Sequence, residues 1–288
     1  MAVSVPGDAR PDHLTRHIQR NFGFEWTKYA RFGWDDPRYN IAAEQRVFHH
    51  KSLFDANELR DGLILDVGCG NGRYSHWAAS YGARVIGIDI SDAVDVAAAN
   101  TAALRNVQIV QADLFNPPFG PSTFDAIFSI GTLMCTGNAR AGFAKLAPLL
   151  KPGGRISVHV YGQGNLVYEA IDRLARLRTT RMSLPDLERF TARTYHMRER
   201  LQRIGVMKVV GKFVRLDSHP HCIFDWYAAP AATHHTYDEV REWFEASGLT
   251  IDRTHQQPST TLSRLRHRVV GGPEAISVRG RASNPRVA

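Results

Sequence analysis

The sequence predicts an α/β fold, a doubly wound sheet of seven strands whose last strand runs antiparallel. Three observations predict it. Apolar strand-length runs alternate with helical segments from Leu63 to Tyr161. The first run ends in a glycine loop, Asp66-Val67-Gly68-Cys69-Gly70-Asn71-Gly72. The alternation then stops for about seventy residues and resumes at a helix start near Thr236.

The elements follow in order. Residues 1–62 form an N-terminal flap and helix: a polar start, an aromatic segment with Phe22, Phe24, Trp26, Tyr29, Phe32 and Trp34, and apolar residues near helical spacing from Ala42 to Phe54. Asn57 to Gly62 turns into the first strand, Leu63 to Val67, and Arg73 to Ser80 is the helix after it. Arg84 to Ile88 is the second strand, and Ser91 to Leu104 an alanine-rich helix with Ser91 or Asp92 as cap. Val107 to Val110 is the third strand. Asn116-Pro117-Pro118 breaks the chain before the fourth, Phe124 to Ser129. A helix over Asn138 to Leu150 stops at Lys151-Pro152-Gly153-Gly154, and Arg155 to Tyr161 is strand five. The insertion, residues 165–235, holds two or more helices from Asn165 to Met207 and a less regular stretch rich in His, Phe and Trp from Val209 to Tyr227. Thr236-Tyr237-Asp238-Glu239 has the form of a capping box, and Gly248 suits the residue after that helix. Leu249 to Thr254 and Ala275 to Arg281 are the last two strands, with Gly271-Gly272-Pro273 between them. Residues 63–164 and 236–282 thus make the core, and 283–288 a tail.

The glycine loop states what kind of ligand the core takes. Glycines at 68, 70 and 72 let the backbone turn and approach a ligand closely. The spacing G-x-G-x-G differs from a dinucleotide loop, and Asp66 at the strand end would repel a phosphate. An acid there suits an ammonium group. Asp89 ends the second strand, where it accepts from ribose hydroxyls, and Asp113 follows the third, where it accepts from an adenine amino group. Ammonium, ribose and adenine together describe S-adenosylmethionine.

The strings D-V-G-C-G-N-G-R-Y, G-I-D-I and Q-A-D-L resemble the successive cofactor motifs of class I S-adenosylmethionine-dependent methyltransferases, whose fold is Rossmann-like. The resemblance runs roughly from Phe22 to Arg281 and is strongest from Leu63 to Gly162. It implies cofactor contacts at Asp66, Gly68, Cys69, Gly70, Asp89, Ile90, Asp113, Leu114 and Ser129, and a substrate cover built by the insertion. Phe224 to Pro230, F-D-W-Y-A-A-P, resembles a subgroup from biosynthetic clusters. Many relatives carry Leu-His-His after strand four. This chain has Leu133-Met134-Cys135, so a base must come from elsewhere.

His219, His221, Asp225, Tyr227, His234 and His235 are the candidates for that base or for holding the acceptor, because they cluster in the insertion. His221 leads, since Asp225 is placed to orient it if the segment is helical. His159 lies inside a strand and is expected to be structural.

Composition narrows the rest. With 43% hydrophobic and 22% charged residues the chain is that of a soluble globular protein. No run approaches the roughly 18 apolar residues of a membrane span, and Asp8, Asp12 and two prolines occupy the place of a signal-peptide core. Cys69, Cys135 and Cys222 are odd in number and widely spaced, which points to a reduced, cytoplasmic compartment and no metal. The net charge of +8 raises nucleic acid as a partner. Yet the arginines between Arg173 and Arg203 interleave with Asp172, Asp186, Glu188 and Glu199, the pattern of a solvated face, and a second basic cluster is Arg264, Arg266, His267 and Arg268. The expected function is methyl transfer to an O, N or C nucleophile of a small, partly hydrophobic biosynthetic intermediate. The alternatives are an RNA methyltransferase and a non-catalytic scaffold of the same fold.

Overall fold

The computed structural model describes residues 11–34, 41–256, 266–269, 271 and 274–283. The expectations on Asp8, Arg264, Gly272, Pro273 and the tail beyond residue 283 lie outside these residues.

Seven strands form one sheet: β1 (Leu63–Val67), β2 (Arg84–Asp89), β3 (Val107–Gln111), β4 (Phe124–Ile130), β5 (Leu150–Tyr161), β6 (Leu249–Thr254) and β7 (Ala275–Ala282). Their order is β3-β2-β1-β4-β5-β7-β6. The first five are parallel, and β7 runs antiparallel to both β5 and β6, as the sequence predicts. The order reverses between β1 and β4, which opens a crevice at the carboxyl ends of those strands.

Eleven helices are described around it: α1 (Asp12–Lys28), α2 (Ile41–Ser52), α3 (Ala56–Leu59), α4 (Arg73–Ser80), α5 (Ala93–Thr101), α6 (Ala139–Leu146), α7 (Leu166–Thr179), α8 (Leu184–Arg203), α9 (Met207–Val210), α10 (Pro220–Ala228) and α11 (Tyr237–Ala246). Alternate residues of a strand face opposite sides. Leu65, Val67, Ile127, Ile156 and Val158 accordingly pack with Phe143, Trp243 and Phe244 on one side of the sheet. Ile64, Ala126, Phe128 and Ile130 pack with Phe48, Phe54, Tyr74 and Ala78 on the other. The insertion has its own apolar centre of Tyr168, Leu187, Ile223, Phe224 and Tyr227.

Several boundaries differ from expectation for identifiable reasons. The aromatic flap is largely a helix, α1, because Phe22 and Trp26 fall on one helical face. β5 begins at Leu150, not Arg155: Leu150 pairs with Phe124 and Arg155 with Ala126, so Pro152-Gly153-Gly154 are absorbed by a register shift rather than breaking the strand. The less regular stretch before Tyr227 contains α10, whose signals are Pro220 in the first turn and His219 as N-cap, its Nδ1 accepting from the His221 N–H at 3.0 Å. The Thr236 capping box forms as predicted, with Glu239 N–H donating to Thr236 Oγ1 at 3.2 Å and Thr236 N–H to Glu239 Oε2 at 2.9 Å.

Two ties position the site. α1 bridges core and insertion: Gly23 packs on Ser91 and Asp92 ahead of α5, and Asn21 Nδ2 donates to the Ala228 carbonyl of α10 at 2.7 Å. At the sheet edge, the buried Arg279 of β7 donates to the Leu53 carbonyl and to Glu58 Oε2, both at 2.7 Å, and through Nε to Asp252 Oδ1 at 2.9 Å. That arginine holds the end of α2 against the sheet.

Candidate active site

A cavity of about 520 Å³ lies at the carboxyl ends of β1, β2, β4 and β5, roofed by α1, α2 and α10. Its size falls within the range of small-molecule sites.

One end is built by the glycine loop. Gly68 has φ +77°, and a Cβ there would stand 2.0 Å from Thr132 Oγ1, so only glycine lets β1 leave the sheet beside the β4 loop. Gly68, Asp89, Ile90, Asp113 and Leu114 line the cavity. Asp89 Oδ2 accepts from the Gly70 N–H at 3.1 Å, and its Oδ1 accepts from the Ser91 N–H at 2.9 Å and Ser91 Oγ at 2.7 Å. Burial raises its pKa and these bonds oppose the rise. A carboxylate offers about four acceptor sites. Asp89 therefore ties the loop together while its carboxylate stands on the cavity wall. Asp113 Oδ1 accepts from the Phe115 N–H at 3.0 Å, fixing its carboxylate on the wall.

The other four cofactor candidates do not line the cavity. Asp66 is buried beneath the loop, where its Oδ2 accepts from Ser75 Oγ at 2.6 Å, and burial pushes its pKa up to about 7. Cys69 packs inward, its Cβ 3.1 Å from where a Cβ on Gly87 would stand, and burial drives its thiol pKa well up. Gly70 is covered by the indole of Trp26. Ser129 Oγ donates to the Val67 carbonyl at 3.3 Å and so links β4 to β1. In each case the strand end was located correctly, but side chains alternate across the sheet and two of these faces are closed by packing.

The other end is an aromatic and polar chamber. Trp26, Phe32, Tyr161 and Trp226 supply rings; Met134 and Cys135 lie at the β4 mouth; Lys51, Arg73, Arg215, His50, His159, His221 and Asp225 supply charge and polarity. His159 lines this wall while its Nδ1 meets Ser277 Oγ at 2.8 Å, so it is both a structural tie and a cavity residue.

The catalytic candidates separate. His221 and Asp225 line the cavity; His219 and Tyr227 do not. His219 caps α10, and Tyr227 faces the insertion's centre, edge-on to Phe190. Asp225 does not orient His221: its Oδ2 accepts from Tyr161 Oη at 2.9 Å. The partner of His221 is Glu25, whose Oε1 lies 2.8 Å from Nε2, off the angle of an in-line hydrogen bond. His234 and His235 sit elsewhere, His234 Nδ1 at 2.7 Å from Glu169 Oε2 and His235 Nε2 at 2.8 Å from Thr233 Oγ1.

Glu25 is the residue the sequence did not single out. Fully buried on α1, it has its pKa raised well above the usual carboxylate range, by burial first and then by the charge of Asp225. Burial likewise holds His221 well below the usual histidine value, with Arg73 adding to the effect. The charge-free form of the pair is thus favoured. Phe32 stacks on His221 at 4.0 Å between centroids, and Trp26 and Tyr29 pack around it. Only the string G-F-E-W-T could have hinted at this, as an acid inside an aromatic run.

His219, His221 and Cys222 are the group compact enough to hold a metal among the described residues. Their ligand atoms lie within 4.8 Å of one another, and Nδ1 of His219 also accepts from the His221 N–H.

A family profile described as a methyltransferase domain matches residues 65–158. An O-methyltransferase of Penicillium expansum is 36% identical over 133 residues, covering 43% of this chain and 48% of that protein. An uncharacterised protein of Synechococcus is 29% identical over 222 residues, covering 70% of this chain and 52% of its own length. The chain thus spans about half the length of these curated relatives. Among solved structures, the 1,6-didemethyltoxoflavin-N1-methyltransferase of Burkholderia thailandensis superposes with a TM-score of 0.55 at 16% identity, covering 98% of this chain and 94% of that one. The magnesium protoporphyrin IX methyltransferase of Synechocystis gives 0.53 at 17% identity, covering 94% and 100%; both share the fold. Sheet order, glycine loop and profile agree: residues 65–158 match a methyltransferase domain, and the chain has the fold of the S-adenosylmethionine-dependent methyltransferases.

Proposed function

We propose that the protein transfers the methyl group of S-adenosylmethionine to an O, N or C nucleophile of a small, partly hydrophobic molecule. The observation that carries this reading is the continuity of one cavity, from the wall of Asp89, Ile90, Asp113 and Leu114 to the chamber of Trp26, Phe32, Tyr161 and Trp226. When bound, S-adenosylmethionine supplies an electrophilic methyl group on a sulfonium. The residues fit such a ligand: Asp89 and Asp113 present acceptors for ribose and adenine, and Ile90 and Leu114 present apolar surface for the base. The solved Burkholderia structure holds 1,6-didemethyltoxoflavin and S-adenosylhomocysteine together, which supports the same division here.

The chain's own contribution is placement and proton handling. α1 and α10 roof the chamber, and its rings hold a flat acceptor within reach of the methyl group. His221 takes the acceptor's proton where one must leave, and Glu25, 2.8 Å from its Nε2, packs against the ring and fixes its place in the chamber. Titration with S-adenosylhomocysteine tests the reading: binding in the micromolar range is expected, and no binding at millimolar ligand would leave only the scaffold reading. The cavity's volume of about 520 Å³ favours a small acceptor over an RNA base; steeply salt-dependent RNA binding would reverse that preference.

A further inference from the structure

Three permanent cations stand on the cavity wall, and two are already paired. Arg73 lies 3.7 Å from Glu44, and Arg215 donates to Asp217 Oδ2 at 2.6 Å. Lys51 makes no ion pair among the described residues; its ammonium meets only the neutral Tyr74 hydroxyl there, at 3.3 Å. Of the acids on the same wall, Asp225 accepts from Tyr161 Oη at 2.9 Å and Glu44 lies 3.7 Å from Arg73. The end of the helix that carries Lys51 is anchored, because the Leu53 carbonyl two residues on accepts from Arg279.

We infer that Lys51 is the seat for a carboxylate on the methyl acceptor, so that the substrate is an aromatic or similarly flat apolar acid. The inference rests on the reading of the cavity as cofactor site plus acceptor chamber. A half-buried ammonium on a cavity wall gains from an anion it can hydrogen-bond directly. The rings of Phe32, Tyr161 and Trp226 supply the flat apolar surface that the rest of such an acid requires. His50 and His159 line the cavity with Lys51, and both are held below the usual histidine value by burial, with the Lys51 charge contributing. Neutral imidazoles there donate hydrogen bonds to an acid without competing for its charge.

The test uses the full chain saturated with S-adenosylhomocysteine, titrated calorimetrically with 4-hydroxybenzoate and with its neutral analogue 4-hydroxybenzamide. Wild type should bind the acid at least tenfold tighter than the amide. Lys51→Met, which keeps the apolar stem, should erase that preference, and Lys51→Arg should restore most of it, while affinity for S-adenosylhomocysteine stays within about twofold in both variants. Failure of S-adenosylhomocysteine to bind wild type would remove the cofactor reading itself. Normal cofactor binding with acid and amide treated alike, with neither bound, or with the preference surviving in Lys51→Met, would overturn the inference about Lys51 alone.

Discussion

The indole of Trp26 closes directly over Gly70: a Cβ on this glycine would stand 2.7 Å from Trp26 Cε2, and its backbone already has φ +53°. Gly70→Ala should therefore combine left-handed strain of about 1–2 kcal/mol with displacement of the indole. If loop and roof are one unit, a cycle of Gly70→Ala and Trp26→Ala should show a coupling of about 0.5–3 kcal/mol in thermal or urea denaturation. Additive effects would mean that the contact carries no energy. Gly70→Val should be the most severe of the three. S-adenosylhomocysteine should also slow proteolysis of the segment from Phe22 to Trp34 if α1 opens to admit it.

Asp89 should matter for the loop as much as for the ligand. Its carboxylate accepts from the Gly70 and Ser91 N–H groups and from Ser91 Oγ, and a hydrogen bond from a ribose hydroxyl to this charged group would be worth about 1.5–3 kcal/mol. Asp89→Ala should weaken S-adenosylhomocysteine by at least tenfold, and should also lower the melting temperature by freeing the Gly70 and Ser91 N–H groups. A variant that binds as tightly as wild type would remove Asp89 from the cofactor site.

His221→Ala should lower turnover by about 10²–10⁴-fold if His221 is the base, with affinity for S-adenosylhomocysteine unchanged. Turnover within about threefold of wild type would show that positioning alone carries the reaction. Glu25→Gln should lower turnover less and flatten its pH dependence. Its stability effect has a definite sign. A carboxyl whose folded pKa is raised is stabilising below its unfolded pKa, and that contribution is lost as pH rises through the folded value. The glutamine variant should therefore gain most over wild type at alkaline pH, as read from melting temperatures at pH 5 and pH 8.

Asp66 gives the same sign over a stated window. Its folded pKa of about 7 lies above the unfolded value of about 3.9, so its contribution falls between about pH 4 and pH 7. Asp66→Asn keeps a carbonyl for Ser75 Oγ. It should raise stability relative to wild type at pH 8 and leave it near wild type at pH 4. An equal effect at both would place the group's titration elsewhere.

The sheet was legible because its signals are local. Alternation, the glycine loop and the Thr236 capping box each concern a few neighbouring residues, and β1 is found at Leu63–Val67 as read. The acids at the strand ends were legible as positions, though not as side-chain directions: Asp89 and Asp113 reach the cavity, whereas Asp66 turns under the loop toward Ser75. The chamber was legible only in part. His221 was found because histidines cluster in the insertion, but its partner was assigned to Asp225 on the same helix. The contact that forms is with Glu25, brought in from the other end of the chain by the packing of α1 on α10. No spacing rule reports such a contact, and Lys51 was missed for the same reason.

Arg279 carries a consequence for the order of folding. It reaches from β7 to the end of α2, joining positions more than two hundred residues apart, and α2 carries Lys51 into the chamber. Contacts of that sequence separation form late, because loop closure precedes any gain from them. The glycine loop and its neighbouring strands can assemble from local contacts, whereas the acceptor wall waits for the last described strand to dock. A chain caught before that step would hold a nearly complete cofactor half beside an unformed chamber. In hydrogen exchange, amides of β1 and β2 should then gain protection ahead of those around Lys51 and Leu53.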